Sequence, residues 1–447
     1  MTLTTRLKGG CAAEYSAAKH EGDIAMTDGS DKAAATWELT EATPPPGPGP
    51  DPPPPGPTEF TVDLSKVTHT ISNLSMGCHS DSGYAHQARG FYSQMIVGDS
   101  FEATGYPDGR WNPEVDPGVS FNASQAGGDD ARFYGAQSEL FSLAPPSPAA
   151  AAAAAGGSAG GSGGTGGLSN RGLGNAGMVL EGGKVYEGFI FAKVPSGGRS
   201  VTMTASLENY VTKTVLAAQQ ITVPEPGAAA AAGVEVDDNG FARFNFSLTP
   251  SASTGCVDIS PVDEPDISCG SGKPRSPIGH TCVKCGGQFK LALSAPGEVL
   301  VNYAFLEPGQ WGRVPGLSVL ASAADTLRSM GIRAIRQGGS YASTADHSSE
   351  YYQWQKWTGP QWTRPSRTAG VWKSCLLSGW GPFEMVDMCD ALDIEPVITT
   401  TESSTPESFA DLVEYCWGNQ STTMGAKRVA DGHPDTYRVK YWELGNE

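Results

Sequence analysis

The chain predicts an α/β fold joined to an all-β one, and three observations carry that reading. Short alternating strands separated by turn residues fill much of residues 99–308. From Trp311 onward, helical and strand patterns take turns. Low-complexity blocks absorb much of the 57 Gly and 33 Pro, which are too many for one compact unit of 447 residues. The remainder keeps 10 Trp, 14 Tyr and 15 Phe, enough to build real cores.

Residues 1–43 are polar, rich in small residues and without clear period, so they are expected to be disordered or to reflect a misplaced gene start. "PPPGPGPDPPPPGP", Pro44 to Pro57, favours extended polyproline II and reads as a semi-rigid spacer. Structure is expected from Thr58, where "EFTVDLS" alternates as a strand. "APPSPAAAAAAAGGSAGGSGGTGG" (144–167) and "GAAAAAG" (227–233) read as loop insertions. Between them, "KVYEGFIFAKV", "SVTMTASLEN", "FARFNFSLTP", "QFKLALSA" and "EVLVNYAFLEP" are the strands of an antiparallel sandwich.

The second pattern is helical at Leu317, Leu320, Ala324, Leu327 and Met330. "IRAIRQGG" follows as a strand, "GPFEMVDMCDALDI" as a helix and "EPVITTT" as a strand. "STPESFADLVEYCWG" opens with Thr405 as N-cap and Pro406 in the first turn, and "RVKYWELGNE" closes as a strand. Such βα units predict a parallel sheet, and in a (β/α)8 barrel functional residues sit at the C-terminal strand ends. Glu447 lies at such an end.

Composition narrows the function classes. A formal charge of −18 repels a phosphate backbone, so nucleic acid is not an expected partner, whereas a neutral polysaccharide is compatible. No run of 18 apolar residues predicts a membrane span, and the N-terminus lacks the continuous apolar core of a signal peptide. Four N-x-[ST] sequons, at Asn73, Asn122, Asn245 and Asn419, point the other way, toward secretion. Of nine cysteines, Cys256, Cys269, Cys282 and Cys285 cluster in an insertion between two strands. With His280 nearby they allow a four-thiolate zinc site or two disulfides, and disulfides are the simpler reading outside the cell.

An Asn-Glu pair at a strand end suits glycoside hydrolysis. The Glu protonates the leaving oxygen, and the amide holds a sugar hydroxyl as positive charge builds at the anomeric carbon. Alone, such a pair equally describes a polar turn. The surrounding sequence decides. "YWELGNE" resembles the "KYW-x-x-GNE" segment of the α-L-arabinofuranosidases of glycoside hydrolase family 51. "SMGCHSDSGYAHQARGFYSQMIVGDSFE", "NYAFLEPGQWGRVPGLSVLASAADTLRSMGIRAIRQGGSYAS", "GPQWTRPSRTAGVW", "GPFEMVDMCDALDIEPVITTT", "TPESFADLVEYCWG" and "DGHPDTYRVKYWELGNE" are similar to family blocks in the same order. The likeness covers about 60–102 and 295–447.

By composition, residues 1–57 are a disordered segment and linker. The resemblance implies 58–98 as the first strand region of the catalytic barrel and 99–308 as an inserted jelly-roll, carbohydrate-binding-like β-sandwich. Residues 309–447 become the first half of an incomplete (β/α)8 TIM barrel. It implies retaining hydrolysis of terminal non-reducing α-L-arabinofuranosyl residues in cell-wall polysaccharides or glycoproteins, outside the cell or in the wall. Glu447 is then the acid/base and Asn446 its substrate-binding neighbour. Asp81 stands where the family has a sugar-binding Glu, and Ser340, in "RQGGS" against "RFPGGN", where it has an Asn. Trp354, Trp357 and Trp362 are sugar-stacking or packing residues; Arg364 and Arg367 match family arginines and suit structural salt bridges. The family's nucleophilic Glu lies on a later strand, so no nucleophile is expected in this chain, which reads as an incomplete sequence with apolar strand edges left open. Glu443 is too far back along its strand to substitute, about 13 Å by strand rise. Two-carboxylate chemistry implies no cofactor and no metal. The alternatives are a non-catalytic carbohydrate-binding protein and another retaining glycosidase of the same clan.

Overall fold

The structure, a computed structural model, describes residues 2–4, 35–40, 58–62, 72–80, 90–101, 111–126, 138–145, 164–231, 234, 236–237, 239–259, 282–338, 353–364, 367–368, 375–376, 379–400 and 404–445. It divides into two units, Met1–Asn73 and Leu74–Glu447.

In the first unit, β1 (Thr2–Thr4), β2 (Ala35–Thr40) and β3 (Thr58–Val62) form an antiparallel sheet in that order. Residues 2–4 and 35–40 are strands within the segment 1–57 expected to be disordered, and β3 is the strand expected at "EFTVDLS". "ATWELT" and "TEFTV" both alternate with period two; that period predicts a strand but does not name its partner. The Pro-rich spacer lies outside the described residues.

In the second unit, β4 (Gly77–Ser80) comes first in the chain. The sandwich follows: β5 (Trp111–Val115), β6 (Phe121–Ala126), β7 (Ser138–Leu143), β8 (Gly166–Asn170), β9 (Tyr186–Lys193), β10 (Val201–Asn209), β11 (Thr214–Val223), β12 (Ala242–Leu248), β13 (Cys256–Ile259), β14 (Cys282–Cys285), β15 (Gly287–Leu293) and β16 (Gly297–Pro308). Ten of these strands make two five-stranded antiparallel sheets, ordered β11-β10-β15-β8-β5 and β12-β9-β16-β7-β6. Met203, Ala205, Leu207, Phe289, Leu291 and Leu293 of one sheet meet Phe141, Ile190, Phe246, Val299 and Val301 of the other in a shared core. β13 and β14 form a separate ribbon whose register sets Cys256 opposite Cys285, and the two are disulfide-bonded. Cys269 and His280 lie outside the described residues.

Two features depart from the simple alternating pattern. β16 is buried almost throughout, because its outer side is covered as well as its inner one. And β8 begins inside the Gly-rich block read as a loop. It runs between β15 and β5, where a methyl on Gly167 would stand 2.2 Å from the Leu291 carbonyl oxygen. Those glycines are there because neighbouring strands leave no room for a Cβ.

After the sandwich come α1 (Ala321–Ser329), β17 (Ala334–Gln337), β18 (Arg367–Thr368), β19 (Cys375–Leu376), α2 (Pro382–Leu392), β20 (Glu395–Thr400), α3 (Pro406–Trp417), α4 (Thr423–Ala430) and β21 (Tyr441–Leu444). As expected, the Thr405 hydroxyl caps α3 by accepting from the Ser408 N–H at 3.1 Å. β21-β20-β17-β4 form one sheet with every pairing parallel, the arrangement of a partial barrel. Among the described residues β21 is an edge of this sheet, with Tyr441 and Leu444 exposed. No helix of the described residues is long and apolar enough to cross a membrane.

Candidate active site

Because the four strands run parallel, their C-terminal ends lie at one end of the sheet. Alternation divides their side chains between two faces. Cys78, Ile335, Ile398 and Trp442 point to the helices, where Phe409 of α3 meets the Trp442 ring edge-on at 5.8 Å. His79, Arg336, Thr399 and Glu443 point the other way, into what a closed barrel would make its interior.

These four side chains touch. The Arg336 guanidinium grips Glu443 with both arms: Nε donates to Oε2 at 2.6 Å and Nη2 to Oε1 at 2.8 Å. The Thr399 hydroxyl donates to the same Oε2. Arg336 Nη1 reaches His79 Nε2 at 3.4 Å. Both members of the ion pair are about one-quarter exposed, Arg336 at 24% and Glu443 at 27%. Bidentate guanidinium–carboxylate geometry is among the stronger polar contacts a protein makes. It ties the first strand of this sheet to the last through one cluster. The Thr400 hydroxyl donates to the Glu443 carbonyl, and the Gly445 N–H donates to the Thr400 carbonyl at 3.0 Å, so β21 stays paired up to the residue before Asn446.

Gly338 shows why "RQGGS" needs its first glycine. Its φ is +139°, and a Cβ there would stand 2.3 Å from Thr399 Cβ. The loop leaving β17 therefore passes directly against the residue that orients Glu443.

Asp81, Ser340, Asn446 and Glu447 lie outside the described residues, as does Glu402. In sequence they follow β4, β17, β21 and β20, four strands of the one parallel sheet. The three tryptophans are accounted for by packing. Trp354 is buried and donates to the Ser408 carbonyl at 3.0 Å, and Trp357 is buried against Gly381. Trp362 meets Phe189 and Phe191 of the sandwich. Arg364 is buried and paired with Glu384 at 2.8 Å, the structural role expected of it. Sequence reasoning passed over His79 and Thr399. Their signal was available: each stands on a parallel strand at the parity that faces the barrel interior.

Sequence comparison converges on the same segment. Residues 326–447 match the model of the "Alpha-L-arabinofuranosidase 1 domain". Alpha-L-arabinofuranosidase C of Emericella nidulans is 30% identical to this chain over 125 residues. That match covers 28% of this chain and 23% of the relative. Probable alpha-L-arabinofuranosidase C of Aspergillus clavatus matches over the same shares. Alpha-L-arabinofuranosidase 2 of Arabidopsis thaliana is 27% identical over 128 residues, 26% of this chain and 19% of that one. The matched stretch is thus about a quarter of the length of these curated relatives. An arabinose-bound family-51 α-L-arabinofuranosidase structure superposes with a TM-score of 0.60 at 16% identity, over 85% of this chain and 55% of that one. That likeness extends the shared fold beyond the arabinofuranosidase domain into the sandwich.

Proposed function

We propose that this chain carries the acid/base side of a retaining α-L-arabinofuranosidase site, acting on terminal non-reducing arabinofuranosyl residues of cell-wall polysaccharides or glycoproteins. Glu447 protonates the departing glycosidic oxygen and later deprotonates the incoming water. Asn446 holds a hydroxyl of the reacting sugar, and Asp81 and Ser340 bind further hydroxyls from the ends of neighbouring strands. The second carboxylate of a retaining mechanism is not assigned to any residue of this chain. Glu443 is unsuited to that role: Arg336 and Thr399 already occupy both of its oxygens.

The observation that carries this reading is the arabinofuranosidase domain match reaching Glu447, which in sequence follows β21, a strand in a parallel sheet with β4, β17 and β20. The Cys256–Cys285 disulfide and the exposed sequon residues Asn122, Asn245 and Asn419 support an extracellular or cell-wall setting. The partner is an arabinose-containing polysaccharide or glycoprotein.

The test is hydrolysis of two aryl α-L-arabinofuranosides by the protein made from its full-length transcript. Glu447→Gln should slow a phenyl arabinoside by about 10²–10⁴-fold. It should slow cleavage of a dinitrophenyl arabinoside far less, because that leaving group departs without a proton. Equal loss on both substrates, or no loss, would remove Glu447 from the acid role.

A further inference from the structure

An edge strand presents unpaired N–H and C=O groups to any other strand that reaches it. Among the described residues, the edges of the sandwich are β11 and β5 in one sheet and β12 and β6 in the other. The first two are blunted by their own sequence. Pro113 sits in the middle of β5 with no N–H to offer, and Glu114 follows it. β11 is bulged: Leu207 and Glu208 of β10 face Ala217 and Val215, so Leu216 is an extra residue that twists this edge.

β12 and β6 have neither feature. "ARFNFSL" and "FNASQA" lack proline, and their pairings with β9 and β7 run without a bulge. β6 carries no charge. The one charge of β12, Arg243, is folded back over the Phe189 ring at 3.7 Å. Two contacts define the open side of β12. The Phe241 N–H donates to Asp237 Oδ1 at 2.7 Å, and the Ser247 N–H donates to Gln219 Oε1 at 2.9 Å. Odd-numbered residues of this strand therefore turn their backbone groups away from β9, and Asn245 is one of them.

What these two strands share is an N-x-S sequon: Asn122-Ala123-Ser124 on β6 and Asn245-Phe246-Ser247 on β12. Phe121 and Phe246 pack into the sandwich core, so alternation puts Asn122 and Asn245 on the outside, and both are exposed. Asn245 accepts from Arg243 Nε at 3.0 Å through Oδ1, which leaves Nδ2 to be modified. It also borders an open groove of about 510 Å³, which gives a bulky group room.

We propose that Asn122 and Asn245 carry N-linked oligosaccharides, and that these guard the two open edges of one sheet against pairing with a second copy of the chain. The step is a glycosyl transfer from a polyprenyl-diphosphate-linked oligosaccharide. Asn Nδ2 bonds to the anomeric carbon of the first sugar, and the bond from that carbon to the phosphate oxygen breaks. The diphosphate leaves with the electron pair, and the amide gives up one proton. A bulky, hydrated chain rooted on an edge strand keeps another strand from the spacing of about 4.8 Å that a ladder needs. The inference rests on the extracellular setting proposed above and makes no use of hydrolysis. Asn419, exposed between α3 and α4 and in no strand, separates the two claims.

The experiment uses the protein made from its full-length transcript in secreting eukaryotic cells. A glycoamidase in heavy-oxygen water converts each glycosylated Asn to a labelled Asp, which mass spectrometry of peptides locates. Label is expected at Asn122 and Asn245. Ser124→Ala with Ser247→Ala removes both acceptor signals and leaves both asparagines in place. With an unchanged melting temperature, this double variant should lose monomer on sedimentation after an incubation that leaves wild type monomeric. Ser124→Thr with Ser247→Thr keeps the sequons and should stay monomeric. Where the alanine variant is not secreted, wild type trimmed by an endoglycosidase to one sugar per site takes its place and should lose monomer. Label at Asn419 but not at both edge sites would overturn the edge assignment and leave the secretory setting standing. Label at no sequon would overturn both. A stably monomeric alanine variant or trimmed chain would overturn the guarding role.

Discussion

The Arg336–Glu443 pair makes the most direct quantitative claim of the barrel side. Consider Arg336→Met, Glu443→Gln and the double variant. Methionine keeps most of the aliphatic stem, and glutamine keeps the shape of the carboxylate while removing its charge. The two Arg336 bonds are charge-assisted, and each such bond is worth about 1.5–3 kcal/mol at most. Exposure near one-quarter reduces that figure. Fully exposed pairs contribute about 0–1 kcal/mol, whereas breaking a buried pair costs about 3–5 kcal/mol. The expected coupling is therefore about 1–2 kcal/mol, and each single variant should cost at least as much. Urea unfolding monitored by tryptophan fluorescence, with linear extrapolation for all four proteins, gives the coupling as the departure from additivity. A quarter-exposed ion pair should also weaken between about 0.05 and 1 M salt. A coupling below about 0.3 kcal/mol would mean the cluster does not hold β21 in place. The account of how the strand leading to Asn446 and Glu447 is anchored would then fail.

Three further outcomes follow from single positions. Gly167→Ala should destabilise by about 1–3 kcal/mol or more, because the new methyl meets a backbone carbonyl that cannot move without shifting β15; a melting temperature equal to wild type would contradict the packing described. Burial raises the Glu139 carboxyl from its ordinary 4.5 to about 7, so the folded state binds the extra proton and stability falls as pH rises across that window. Glu139→Gln should remove this slope, matching wild type near pH 4 and exceeding it at pH 8 by about 1–3 kcal/mol, with parallel pH–stability curves as the contrary result. Arg364→Met removes a buried guanidinium from the half-buried Glu384 and should cost about 2–4 kcal/mol in chemical denaturation; a loss below about 1 kcal/mol would show that Glu384 is adequately satisfied by the Gly381 N–H.

What the sequence reveals about this fold depends on whether the signal is local. The α3 cap was legible because Thr405, Pro406 and Glu407 act on their own helix. The parallel sheet was legible because helical and strand periods alternate over 130 residues of chain. β8 was not: Gly166 and Gly167 look like the tail of a linker, and only strands distant in sequence show why they have no side chain. β3 is legible as a strand, but its partner β2 is not, since an alternating pattern carries no address. The cysteines behave likewise. Four cysteines permit three pairings, and it takes the β13–β14 register to select Cys256 with Cys285. At the site, the motif ending in Glu447 was visible as a word, whereas the Arg336–Glu443–Thr399–His79 cluster is a meeting of four strands that no single segment contains.

The sandwich is better understood as part of the barrel's packing than as an appended module. Phe189, Phe191, Tyr303 and Phe305 lie in one apolar cluster with Tyr92, Trp380, Ile335 and Ile398. Trp362 packs on Phe189 at 5.4 Å, and Arg243 lies over the Phe189 ring at 3.7 Å. Ser93 and Arg313 both bind Glu307 at the end of β16, fixing the segments that enter and leave the insertion against it. A sheet buried on both sides cannot separate without exposing four aromatic rings, so the two parts should unfold together. The same packing commits the Phe189, Tyr303 and Phe305 part of one outer face of the sandwich to structure.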